Sequence, residues 1–414
     1  MVTAAASAPP VPARHAVWLT GWGFCSPLGG DAQSFMDQLF TARHVFQRLQ
    51  RPLVRPVPAA MVDDPGLTSR AWPSHLDRMG QMAILAAQRA IQNAGLAGQS
   101  EIIDTCGVYL GNGCGTTESN HDAYERLFAT QRLSGLTLLR CLPSAAASAV
   151  AMDLALHGPV QTFTNACASS SMALGEAMRA IRHGYATCVL AGGSEAPFGA
   201  GTLKAWEALR VMAPDDDPDQ ACRPFDVSRQ GLVLGEGAVF FVLEQQDAAR
   251  ARGATPLAVL QGYGCSNDAH HWTEPDLEGQ KRAMRAALDD AGCQARDIVA
   301  INAHGTGTPV GDRVEMMSVA SVFDGCAVPI SSTKALHGHL LGASGAIELA
   351  ACVATLLRGQ VPHTRNLRTP EPASASLDLV RDAPRALARP GPVLSNSFAF
   401  GGINASLIVA PAPS

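Results

Sequence analysis

Apolar residues alternate with short polar breaks along the chain in a repeating strand–helix rhythm. The run at 17–23 reads as a buried strand entering a glycine-rich turn, and 31–39 as a helix. Residues 81–94 carry apolar positions at spacings of three and four, with Gly95 as a stop, which predicts an amphipathic helix. A short strand at 107–110, a small-residue helix at 143–156, a strand at 160–164, a helix at 168–183 and strands at 187–191 and 238–243 follow. The rhythm then starts again. Strands are predicted at 257–262, 298–303, 328–331, 393–397 and 405–409, with helices at 279–291, 312–322 and 342–357. Strands alternating with helices on both sides of a boundary near 255 suggest two similar α/β halves, 16–255 and 256–414, behind a disordered Ala/Pro-rich tail at 1–15.

Composition narrows this picture. The chain has 414 residues, of which 47% are hydrophobic and 16% charged, against a usual charged share of about 25%. Such a chain buries a large core and has surface to spare for a subunit interface. A net charge of −5 gives no overall attraction to nucleic acid. The start lacks the apolar segment of a secretory signal, and no run of about 18 uncharged apolar residues predicts membrane insertion. Eleven scattered cysteines, without a C-x-x-C pair, argue against a disulfide framework or structural zinc and for a reducing, cytoplasmic setting. Only Lys204, Lys281 and Lys334 are lysines, so each is a departure from an arginine-based surface. Arginines 43, 48, 51 and 55 form either a solvated loop or a landing patch for an acidic partner, and 214–218 (PDDDP) reads as a surface loop.

Four segments carry chemistry. TNACASSS places Cys167 at a strand-to-helix junction, where the N–H groups and dipole of a helix start lower a thiol's pKa. This is an acyl-transfer nucleophile or a buried core cysteine. AHGTGTPVGD ends a strand on His304, in the crevice where α/β folds bind ligands. Thr306 and Thr308 follow with hydroxyls for a polar substrate, and Asp312 reads as a helix cap. SSTKALHGHLLGASGAIE brings Lys334, His337, His339 and Glu348 around a turn into a helix. A second imidazole there joins His304 in holding developing negative charge, with Lys334 and Glu348 fixing the tautomers. A metal site on His304, His337 and His339 lacks an HExxH motif or an acidic ligand cluster. NSFAFGGINASL is a hairpin whose glycine-rich loop offers N–H groups for an oxyanion hole, with Phe398 and Phe400 as pocket covers or core residues. RPFDVSRQGLVLGEGA (223–238) reads as structural.

Together, from TGWGFCSPLG near residue 20 to SFAFGGINASL near 407, these segments resemble the β-ketoacyl-acyl carrier protein synthases of the thiolase-like superfamily, closest to the elongating Cys-His-His type. The resemblance implies a duplicated, five-layered αβαβα fold. It implies acyl carrier protein as partner, a homodimer or a heterodimer with a related chain, and no cofactor beyond the carrier's 4'-phosphopantetheine. Cys167 would take the acyl group, and His304 and His339 would support decarboxylation of malonyl-carrier, with Lys334 and Glu348 as the active-site lysine and its partner acid. Backbone N–H groups of Cys167 and Phe400 would form the oxyanion hole, with Phe400 the gate. Thr306 and Thr308 would bind the pantetheine arm, and Arg210 would contact the carrier. Some positions depart from the usual pattern. Ala399 in FAFGG stiffens the hinge, Leu232 stands in QGLV, and Cys114 replaces a larger aliphatic at the acyl pocket. Trp206 and Trp272 add apolar faces at pocket and entrance. A thiolase needs a second cysteine late in the chain, and none follows Cys352; the initiating synthase type needs Asn where His339 stands; a chain-length factor lacks the nucleophile. The departures favour a specialised polyketide, polyene or unusual acyl pathway over housekeeping fatty acid synthesis.

Overall fold

The computed structural model describes residues 15–41, 45–69, 71–73, 76–214 and 217–413. The expected tail, except His15, lies outside the described residues, as do Arg43 and residues 215–216 of the polar loop.

Ten strands form the main body. The first five are β1 (Val17–Cys25), β2 (Gly107–Gly111), β3 (Val160–Phe163), β4 (Cys188–Glu195) and β5 (Gly237–Gln245). They lie in the order β3-β2-β4-β5-β1. The second five are β6 (Ala258–Asn267), β7 (Ala300–Asn302), β8 (Pro329–Ser331), β9 (Val393–Ala399) and β10 (Ile403–Pro411). They lie in the order β8-β7-β9-β10-β6, the same permutation of chain order, with an eleventh, two-residue strand, Asp378–Leu379, added parallel to β8 at the edge. Parallel and antiparallel pairings also match: β2 runs parallel to β3 and β4 as β7 does to β8 and β9, and the remaining pairs among the ten are antiparallel. A short antiparallel contact between Val17–Leu19 of β1 and Ala258–Leu260 of β6 joins the two sheets edge to edge. The chain therefore repeats one topology, although its residues show the repeat only faintly.

Burial explains the layering. Strands β1 and β4 are buried along their whole length, and β5 up to its last residue, which requires cover on both faces. On the outer side of the first sheet lie α1 (Arg78–Asn93) and α2 (Ala145–Leu154), packed through Met82, Ala86, Ala90 and Val150. Helices α4 (Leu277–Ala291) and α5 (Pro309–Val322) cover the outer side of the second through Met284, Leu288, Met316 and Val319. Between the sheets run α3 (Ser169–Arg182) and α6 (Ser344–Arg358), whose Leu174, Ala177, Met178, Ile347, Ala350 and Ala354 join one central core. Small residues let these two helices approach each other and both sheets. The result is the five-layered thiolase-like arrangement. Residues Leu341–Arg358 are long and apolar enough to cross a membrane by composition, but 83% of that stretch is buried in the protein core.

The predicted elements fall close to their positions, but Phe46–Leu49, inside the arginine segment read as a loop or landing patch, is a strand paired with Val57–Ala60, and the helices Thr117–Thr130 and Ala200–Leu209 were not predicted. Helix α5 begins at Pro309, because proline at the first helical position needs no N–H partner. Asp312 is not its cap: it is buried and accepts backbone N–H groups of Phe225 (2.8 Å) and Gly307 (3.0 Å).

Candidate active site

The two central helices begin in the same way. Each follows a 3-10 turn, Ala166–Ala168 or Leu341–Ala343. Each turn opens on a non-glycine residue with positive φ, Ala166 at 48° and Leu341 at 45°. Such backbone costs about 1–3 kcal/mol and persists only where the surroundings impose it. Around Cys167 that support comes from Ser169, whose hydroxyl accepts the Asn165 N–H at 2.8 Å and lies 3.0 Å from the Asn112 carbonyl. The sharp turn puts the Cys167 sulfur at the inner end of a cavity of about 400 Å³.

Two histidines reach the same point from the other half of the chain. His339 Nε2 lies 3.1 Å from Cys167 Sγ, and its Nδ1 lies 2.8 Å from Ser344 Oγ. The His304 ring stands nearly perpendicular to that of His339, with centroids 5.4 Å apart and an interplanar angle of 83°. Donor atoms of Cys167, His304 and His339 lie within 4.8 Å of one another, and of the three pairs Cys167–His339 is at hydrogen-bond distance. His337 does not join them; its ring nitrogens face Gly338 O at 2.7 Å and Thr333 Oγ1 at 3.0 Å.

Lys334 sits behind His304, fully buried. Its Nζ donates to the His304 carbonyl at 2.5 Å, lies 3.3 Å from His304 Nδ1 and forms an ion pair with Glu348. Lys204 and Lys281 instead make surface pairs with Glu207 and Glu278 three residues away on their helices. The loop after β7 is held by Glu315, whose two carboxylate oxygens accept the N–H groups of His304 and Gly305, each at 2.7 Å.

Burial dominates the electrostatics. It holds His304 and His339 well below the usual imidazole range, and Lys334 adds to the effect on both. It also raises the Cys167 thiol to about 12, against the opposing pull of Lys334 and the Phe400 N–H. The lowered thiol expected from the helix start is therefore corrected: loss of water around a fully enclosed sulfur outweighs the helix-end field. Both shifts favour a neutral thiol beside a neutral imidazole over a thiolate–imidazolium pair. Glu348 is raised by burial to about 7, with Lys334 pulling the other way.

The cavity walls bring together Cys167, His304, His339, Thr306, Thr308, Trp206, Phe398, Ala399 and Phe400, with Arg210 and Trp272 among the lining residues. Thr306 and Thr308 hydroxyls lie 2.9 Å apart. Phe400 stacks on Trp206, with centroids 6.2 Å apart, and its backbone N–H is directed at the Cys167 sulfur. Trp272 is 82% exposed, and its carbonyl accepts the Gly401 N–H at 2.8 Å. Cys114 is not a wall of the cavity; it packs in an apolar cluster with Cys167, Trp206, Leu203 and Leu341. Of the arginine patch, Arg51 donates to Phe198 O at 3.1 Å and Arg55 pairs with Glu207 at 3.4 Å. Within 223–238, Arg229 is buried between Asp312 and Glu371, which agrees with a structural role.

Sequence reasoning missed Glu195. Its buried carboxylate accepts N–H groups from Gly113 (2.6 Å), Cys114 (3.2 Å) and Gly342 (2.9 Å), tying the loop after β2 to the turn that follows His339. A Cβ on Gly342 would lie 2.1 Å from the Gly113 nitrogen, so this contact requires glycine. Burial raises Glu195 to about 7, against the three N–H donors. Its only sequence signal is an acid closing an apolar strand.

Comparison with known proteins agrees with this geometry. The family model "Beta-ketoacyl synthase, N-terminal domain" matches residues 14–249, and "Beta-ketoacyl synthase, C-terminal domain" matches 257–368. Nodulation protein E of Rhizobium sp. (strain N33) is 40% identical over 404 residues, covering 94% of this chain and 98% of that protein. The 3-oxoacyl-[acyl-carrier-protein] synthase 2 of Staphylococcus aureus (strain COL) is 34% identical, covering 95% and 97%. The solved ishigamide ketosynthase/chain length factor superposes with a TM-score of 0.90 at 30% identity, over 97% of this chain and 100% of that one. The chain belongs to the β-ketoacyl synthase family and is an acyl-transferring condensing enzyme.

Proposed function

We propose that this enzyme extends an acyl group held on Cys167 by two carbons from malonyl-acyl carrier protein, in a specialised acyl or polyketide pathway. The observation that carries the reading is the Cys167–His339 contact of 3.1 Å, beside the crossed ring of His304 at the inner end of the cavity.

In the loading step His339 Nε2 accepts the Cys167 proton as the sulfur attacks the thioester carbonyl on the carrier's phosphopantetheine. The departing pantetheine sulfur takes that proton. The Cys167 and Phe400 N–H groups hold the oxyanion. In the condensation step malonyl-carrier loses CO₂, and imidazole N–H groups of His304 and His339 hold the resulting enolate oxygen. The enolate carbon attacks the acyl-Cys167 carbonyl, the Cys167 sulfur leaves and takes up a proton, and a β-ketoacyl-carrier departs. Thr306 and Thr308 orient the pantetheine arm, and Arg210 meets the acidic carrier. The reaction draws on the carrier's phosphopantetheine and on no cofactor of the enzyme's own.

Three features support a specialised pathway. The curated relatives named for nodulation are more similar than synthase 2, at 40% against 34%. A ketosynthase/chain length factor superposes over nearly the whole chain. Trp206 reshapes the apolar side of the nucleophile by stacking on Phe400. The second chain, a copy of this one or a related subunit, would dock on the outer edge of β3. That edge pairs with no strand among the described residues.

The test is intact-protein mass spectrometry after incubation with a panel of acyl-carrier proteins, in wild type and Cys167→Ala. Adducts from aryl, polyenoyl or short unusual acyl groups, absent in the variant, are expected. Adducts from saturated medium and long chains alone would assign the enzyme to ordinary fatty acid synthesis. Adducts that persist in Cys167→Ala would refute the nucleophile.

A further inference from the structure

The two histidines face different partners at Nδ1. An ammonium group only donates, so Lys334 beside His304 Nδ1 leaves that nitrogen unprotonated and keeps the proton on Nε2. His304 is therefore built as a constant donor toward the cavity. The Nδ1 of His339 faces a hydroxyl, Ser344 Oγ, at 2.8 Å. A hydroxyl both donates and accepts, so it satisfies either tautomer of the ring.

We propose that Ser344 is a positioning residue that lets His339 change tautomer between the two half-reactions. The proposal rests on the condensing mechanism above. While Cys167 is loaded, Nε2 must be unprotonated to accept the thiol proton, so Nδ1–H donates to Ser344 Oγ. While the enolate is held, Nε2 must carry a proton, so Ser344 O–H donates to Nδ1. Ser344 is fully buried at the first position of α6, and the turn before it joins the helix directly to His339. The hydroxyl is thus held in place through both steps.

Removing it gives an asymmetric result. Without Ser344 Oγ, a buried Nδ1–H has no acceptor, which costs more than a bare ring nitrogen, so the ring settles with its proton on Nε2. Donation survives and acceptance suffers. In Ser344→Ala, acyl loading of Cys167 should fall by about 10-fold to 100-fold, while malonyl-carrier decarboxylation falls by less than about threefold. Ser344→Thr, which restores the hydroxyl, should recover loading. Loading at the wild-type rate in Ser344→Ala, or equal losses in both steps, would overturn the proposal. A second measurement needs no variant at position 344. In wild-type enzyme labelled with ¹⁵N at histidine, and assigned with His339→Asn, His339 should show Nδ1–H when free and Nε2–H with a non-decarboxylating malonyl-pantetheine analogue bound. One unchanged tautomer in both states would also overturn it. If wild type forms no acyl adduct that Cys167→Ala lacks, the condensing mechanism itself fails and this inference with it.

Discussion

Lys334 and Glu348 form an ion pair with their side chains 1% and 0% exposed, and the same ammonium donates to the His304 carbonyl. The pair therefore ties the acid on α6 to the loop that carries His304. Removing one partner of a buried pair costs about 3–5 kcal/mol when the other charge persists. In Lys334→Met, Glu348 loses the cation that offsets its desolvation, so its pKa rises beyond the present value of about 7. A protonated Glu348 escapes part of the cost, and protonation is easier at low pH. The variant should lose decarboxylation activity, and its Tm deficit against wild type should be wider at about pH 8 than at about pH 6. A pH-independent deficit in thermal melts would contradict this charge assignment. Lys334→Arg keeps the charge but not the compact geometry, and should not restore activity.

Cys167 and His339 give a second pH prediction. The thiol is raised to about 12 and the imidazole lies well below its usual range, burial being the first cause of both. No thiolate–imidazolium pair should form at neutral pH. The difference in thiolate absorbance at about 240 nm between wild type and Cys167→Ala should stay flat from about pH 6 to about pH 9 and rise only beyond. A full step near neutral pH would mean that an ion pair is the resting state.

The reach of the sequence follows from what is local and what is not. Cys167, His304 and His339 were legible because each stands at a strand end or helix start, within a short glycine-rich segment. Lys334 stood out as one of three lysines. The sign of the Cys167 shift was not legible, since the local helix start argues for a lowered pKa, whereas burial depends on both sheets and both central helices. Asp312 was misread for a similar reason: its position early in α5 suggests a cap, but its partners include Phe225, which is 87 residues away. Glu195 and Ser344 were passed over because an acid ending a strand or a serine starting a helix is ordinary until its partner is known. The repeated strand order of the two halves survives in the pairing pattern after the residues have diverged.

Glu195 offers a test of the link between the halves. Glu195→Gln replaces one accepting oxygen with a donor facing backbone N–H groups, at a cost of about 1–3 kcal/mol. In wild type the folded pKa of about 7 exceeds the ordinary 4.5, so the folded state binds more protons in that window and this group's contribution falls as pH rises through it. The variant should therefore have a lower Tm and a weaker decline in Tm between about pH 5 and about pH 8. Glu315 and Glu348, raised in the same direction, keep part of that decline in both proteins. An unchanged pH profile in Glu195→Gln would show that its carboxylate does not titrate in this range.

Arg210 ends the helix Ala200–Leu209 in a left-handed conformation, φ 56°, at the exposed rim of the cavity. On the proposed mechanism, a cation there would meet an acidic carrier before the pantetheine arm reaches Thr306 and Thr308. Rim charges act mainly on encounter rate and weaken with salt. Arg210→Glu should lower kcat/KM for acyl-carrier substrates by about 10-fold at low ionic strength, and the deficit should shrink as salt is added. Turnover of acyl-pantetheine thioesters, which lack the protein, should change little, because Arg210 is exposed whereas Cys167, His304 and His339 are buried. Equal losses with both substrate classes would place Arg210 in the cavity's own chemistry rather than at the carrier's landing site.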